Sequence, residues 1–70
     1  MKRHSVVSSN IDYVGYEESS QTLEITFRSG GIYEYSNVPE PIFSALRAAS
    51  SVGRYFAVHI KDHYRCSKIR

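Results

Sequence analysis

Seventy residues at 8.0 kDa, 41% hydrophobic and 23% charged, describe one folded domain and leave no room for a second. A chain this short buries roughly 60% of its unfolded surface, so a homo-oligomer is a natural expectation. There is no run of about 18 apolar residues and no secretory signal in Met1-Lys2-Arg3-His4-Ser5, and Cys66 is the lone thiol. A cytoplasmic protein with no membrane partner and no disulfide is expected.

The net charge of +2 conceals an asymmetry. Between residues 12 and 40, Asp12, Glu17, Glu18, Glu24, Glu34 and Glu40 face Arg28 alone; from 41 onward, Arg47, Arg54, Lys61, Arg65, Lys68 and Arg70 face only Asp62. Such separation steers an anionic partner, draws two copies head to tail, or forms two solvated faces.

Along the chain, Ile11 to Glu17 is β-prone and meets a turn at Glu18-Ser19-Ser20-Gln21. In Thr22 to Arg28, Leu23, Ile25 and Phe27 alternate with polar residues, the mark of a strand with one buried face. The next strand holds Tyr33 and Tyr35, so the turn between them decides whether these rings point inward or form an exposed stacking platform. Two-residue turns place Glu34 opposite Ile25 or Phe27, which buries a carboxylate. A three-residue loop at Ser29-Gly30-Gly31 sets Phe27 opposite Tyr33, Ile25 opposite Tyr35 and Thr26 opposite Glu34, and turns both tyrosines inward.

Pro39-Glu40-Pro41 suits a helix start, and Ile42, Phe43, Leu46 and Ala49 follow at helical spacing. A second helix is expected from Arg54 to His63, capped by Ser50 or Ser51, with Phe56, Ile60 and His59 on one face. From Tyr64 onward the chain reads as a basic tail or a short edge segment. Residues 1–5 and 65–70 are expected as flexible ends of a single domain spanning 1–70. The architecture is α+β: an antiparallel meander of three strands, or four if the N-terminal segment joins, packed on one face by two short C-terminal helices.

The hairpin ending in Tyr33-Glu34-Tyr35, the Asn37-Val38-Pro39 step and the run from Ala49 to Phe56 with His59-Ile60-Lys61-Asp62 resemble the KTSC domain family. That family is named for a C-terminal extension of some lysyl-tRNA synthetases and also occurs as single-domain bacterial and phage proteins. The resemblance covers about Val6 to Tyr64 and implies the fold together with an RNA context, but no established activity. The chain departs from the family pattern at Ala57, where an asparagine is expected, and at Arg65-Cys66, where a proline-containing tail is common.

His59 and His63 stand four apart, as two ligands on one helix face would, with Asp62, Cys66 or His4 as a third. Closed zinc sites show tighter clusters, so no metal site is expected. No nucleophile carries a family signature, and neither GxxxxGK[ST] nor GxGxxG occurs, so neither an enzyme nor a cofactor is expected. The best candidates for binding are Arg47, Arg54, Tyr55, Lys61 and Arg65, cations for phosphate with one ring for a base, with His59, Tyr33 and Tyr35 as secondary candidates. They point to RNA or single-stranded nucleic acid. Capture of a nucleotide or phosphorylated small molecule by an oligomer, and protein–protein interaction through a sheet edge, are the alternatives.

Overall fold

A computed structural model describes residues 1–70. The β-prone Ile11–Glu17 segment becomes β2, the alternating Thr22–Arg28 segment supplies β3, and the polar ends of the chain extend the sheet on both sides. Strands β1 (Lys2–Ser5), β2 (Ile11–Glu17), β3 (Thr22–Phe27), β4 (Ile32–Tyr35) and β5 (Cys66–Lys68) form one antiparallel sheet in that spatial order. The sheet therefore has five strands, not three or four, and the helices lie between β4 and β5 and are not C-terminal. Lys2-Arg3-His4-Ser5 and Cys66-Ser67-Lys68 show no apolar alternation, because edge strands can be held by backbone hydrogen bonds alone.

The β3–β4 loop differs from expectation by one position. It comprises Arg28, Ser29 and Gly30, closed by Gly30 N–H to Phe27 O at 2.9 Å and Phe27 N–H to Gly31 O at 2.8 Å. Gly30, at φ 104°, takes the positive-φ position that closes the loop, which glycine adopts without steric cost. Tyr33 then pairs with Ile25 and Tyr35 with Leu23. The register moves by two residues, so the faces are preserved and both tyrosines still point toward the helices.

On the helix-free face this register sets Glu34 opposite Glu24. Glu24 is buried, and Arg3 reaches across Gly15 to engage it, Nε to Oε1 and Nη2 to Oε2 at 3.2 Å. Gly15 makes this approach possible. A Cβ there would lie 2.9 Å from Met1 Sδ and 3.3 Å from Arg3 Cγ.

Helix α1 (Glu40–Ala48) starts at Pro39 and sends Phe43 and Leu46 into the core. Its start is tied to the β2–β3 turn through Val38, whose N–H donates to Gln21 O at 2.9 Å and whose carbonyl accepts the Tyr16 hydroxyl. Tyr16 and Phe43 then stack with centroids 5.0 Å apart. Helix α2 (Val52–Tyr55) is capped by Ser51 Oγ, which accepts the Arg54 N–H, and continues as a π turn over Phe56–Ile60. The helical segment thus starts before Arg54 and ends before His63. Val52, Phe56 and Ile60 are all buried. At four-residue spacing they would drift about 40° per step around an ideal α-helix. The wider turn, closed by Lys61 N–H to Phe56 O at 2.9 Å, brings Ile60 back over the core.

The core joins Ile11, Val14, Leu23, Ile25 and Tyr35 of the sheet to Val38, Phe43, Leu46, Val52, Phe56 and Ile60. No helix is long and apolar enough to cross a membrane.

His4 opposes Val14 on the helix-facing side of β1, with its ring 6.2 Å from Phe43. Lost hydration, then Arg47 and Lys2, push its pKa below the usual value. A depressed folded-state pKa gives stability that is complete above the unfolded value, about 6.5, and is lost as pH falls through the folded value. Urea midpoints of the wild type are therefore expected to fall on acidification below about pH 6.5 more than those of His4→Gln. Parallel pH profiles for the two proteins would show that His4 is not the source.

Candidate nucleic-acid interface

The turn between α1 and α2 brings Ser50 and Ser51 beside the β1–β2 loop, and the β3–β4 hairpin tip closes the other side. Between them lies a cleft of about 540 Å³ lined by Ser8, Ser9, Asn10, Arg28, Gly53 and Arg54, among others. Its floor is built by local hydrogen bonds. Ser8 Oγ accepts the N–H groups of Asn10 (3.4 Å) and Ile11 (3.3 Å) and donates to Asn10 Oδ1 at 3.1 Å, which leaves the Asn10 amide NH2 as a free donor. Gly53 lets the helix approach these groups, since a Cβ there would stand 3.1 Å from Asn10 Oδ1.

Two arginines border the cleft in different electrostatic states. Arg28 is pinned, Nε donating to Ser8 O at 2.8 Å and Nη1 lying 3.1 Å from Asp12 Oδ1. Arg54 is exposed and has no carboxylate partner, since Arg3 and Arg28 are the only basic residues in ion pairs. Beyond Arg54 is a smaller depression of about 370 Å³ bordered by Tyr55 and His59, whose rings lie 4.4 Å apart at 36°. On the opposite side, sharing Asn10, is a third depression of about 410 Å³ lined by Phe27, Tyr33, Tyr35, Phe56 and Lys61, with Ser29. None of the three is lined by an aspartate or glutamate. Burial, and then Cys66 paired with it across β4 and β5, pushes the Tyr35 phenol pKa well above its usual value and keeps it neutral.

The candidates read from the sequence separate into groups. Arg54, Tyr55 and His59 come together, whereas Lys61 joins Tyr33 and Tyr35 at the third depression. Arg47 lies over the Phe43 ring, Cζ 5.8 Å from its centroid, and Arg65 precedes β5, its carbonyl accepting the Ser36 N–H at 2.9 Å. Neither of these two borders the cleft. His59 is exposed and not part of the core, and because the helix ends at Ile60, His59 and His63 do not share a helical face. No group of three or more His, Cys, Asp or Glu is placed to hold a metal. Ser8, Asn10, Arg28, Ser51 and Gly53 were missed as site residues. The only signal for them was the polar Ser8-Ser9-Asn10 run before β2.

A model of the KTSC domain matches residues 7–64. The chain is 41% identical over 70 residues to an uncharacterized protein of Stutzerimonas stutzeri, covering 99% of each. A crystal structure of a KTSC domain protein from Yersinia pestis has the same fold, with a TM-score of 0.95 and 40% identity over 99% of this chain and 97% of that one. A lysine–tRNA ligase of Nostoc punctiforme is 38% identical over 61 residues, which is 87% of this chain and 11% of the ligase. The chain belongs to the KTSC domain family.

Proposed function

We propose that this domain is a non-enzymatic binding module for RNA or single-stranded nucleic acid, acting in the cytoplasm. The observation that carries the reading is the position of Arg54. Its unpaired guanidinium stands between a carboxylate-free polar cleft and the Tyr55–His59 ring pair. A guanidinium offers a planar fork of donors to phosphate, and an adjacent ring stacks on any base. The Asn10 amide and the hydroxyls of Ser9, Ser50 and Ser51 supply neutral donors to the remaining phosphate oxygens. The relatives named as lysine–tRNA ligases agree with this reading, because a domain amounting to about a tenth of such an enzyme fits an added RNA contact better than a catalytic centre.

The test is fluorescence anisotropy with a labelled oligonucleotide of about eight nucleotides. Binding is expected at low salt, with log K falling linearly against log salt at about 0.7 per phosphate contacted. No binding at low salt overturns the proposal. Thermal stabilisation by a mononucleotide, without affinity for strands, would replace it with capture of a small phosphorylated ligand.

A further inference from the structure

We infer, on the basis of the reading just given, that the ligand is a run of nucleotides laid across all three depressions. One base rests on Tyr55, the connecting phosphate sits between Arg54 and Asn10, and a second base enters the depression beside Lys61. The three hollows adjoin through shared residues. Arg54, Ser50 and Ser51 border both the cleft and the Tyr55 depression, while Asn10 borders both the cleft and the Lys61 depression. The order along the surface is ring, polar and cationic, ring. That is the alternation of base and phosphate along a single strand.

The Lys61 depression exists because the helical layer stops short of the hairpin tip. The π turn ends at Ile60 and the chain becomes extended at Lys61 (φ −57°, ψ 129°), so the inner face of the sheet near Phe27 and Tyr33 is left partly uncovered. Tyr33 points inward yet is only half-buried. The rings there meet edge to face, Phe27 with Tyr33 at 5.5 Å and 84° and Phe27 with Phe56 at 5.6 Å and 73°. This arrangement is internally favourable and rigid, and a hollow of about 410 Å³ remains beside it. Lys61 borders this hollow without a carboxylate partner, so a cation lies next to an aromatic wall. The Ser29 hydroxyl and the Asn10 amide give polar contacts for the edge of a base. A mononucleotide fills one ring site at most, whereas a strand fills both.

The experiment follows amide shifts of the full chain by NMR, with adenosine monophosphate and then with an oligoadenylate of about eight nucleotides. The oligoadenylate is expected to move the amides of Tyr55 and His59 together with those of Ser29 and Lys61, and the mononucleotide to move one set only. Lys61→Ala and Tyr55→Ala are each expected to lower oligoadenylate affinity about tenfold, and to lower affinity for an abasic strand of the same length less. Lys61 is exposed, so its variant is expected to fold as the wild type does. If the oligoadenylate binds but leaves Ser29 and Lys61 unmoved and Lys61→Ala binds as the wild type does, the two-base arrangement is wrong while the nucleic-acid reading stands. If no strand binds at low salt, both are wrong.

Discussion

Phe56→Ala is expected to lower stability by about 3–5 kcal/mol. Phe56 is only 6% exposed, and its ring meets Phe27 at 5.6 Å and 73° and Tyr35 at 5.6 Å and 78°. It is also the first residue of the π turn and the middle member of the buried series Val52, Phe56 and Ile60. Truncation removes the contact between the helical layer and β3 and β4 together, and leaves a cavity that the sheet cannot close. A domain of this size has stability near the lower end of about 5–15 kcal/mol, so the loss consumes most of it. With about 4–8 °C per kcal/mol, the melting temperature should fall by some tens of degrees. Urea denaturation measures it directly. Phe56→Leu, which keeps most of the volume, should lose less than about 1.5 kcal/mol. Equal and small losses for both variants would show that the ring does not join the two layers.

The parts of this fold that were legible in the sequence are those fixed by side-chain alternation. Leu23, Ile25 and Phe27 announce β3, and parity alone turns Tyr33 and Tyr35 inward. The register within that parity was not legible, because a two-residue shift keeps every residue on its face. The loop chemistry at Gly30 decides it, and the resulting Glu24–Glu34 pairing is tolerated because Arg3, on a strand that carries no apolar pattern, reaches Glu24. Strand β5 was obscure for a similar reason: Cys66, Ser67 and Lys68 are all exposed and held by the backbone. The candidate site was half legible. Residue chemistry singled out Arg54 and Tyr55, but charge in a sequence does not tell which face a cation occupies, so Arg47 and Arg65 were grouped with them. Ser8, Asn10 and Arg28 come from two other segments and meet Gly53 only after the sheet has formed.

The second large effect is expected at Arg54. Arg54→Ala should weaken binding of a single strand about ten- to a hundredfold, the range for loss of a charge-assisted hydrogen bond. The slope of log K against log salt should fall by about 0.7, one phosphate contact on a single strand. Stability should change by less than about 0.5 kcal/mol, because the side chain is exposed and the cap to Ser51 uses the backbone N–H, which alanine retains. Arg54→Lys keeps the charge and loses the planar fork, so it should preserve the salt slope while binding with intermediate affinity. Arg65→Ala and Arg47→Ala serve as controls for diffuse attraction. Arg65 precedes β5, and Arg47 lies over Phe43 and lines a neighbouring hollow instead of the cleft, so each should cost a small fraction of the loss at Arg54. If all three alanine variants lose affinity equally, the helical half acts as a general positive field with no phosphate site at Arg54. If Arg54→Ala alone is impaired, and Arg54→Lys separates slope from affinity, the guanidinium makes a directed contact. Its free state is what permits that contact: Arg28, on the same cleft, is already engaged by Asp12 and Ser8, and only Arg54 has its full complement of side-chain donors open to a ligand.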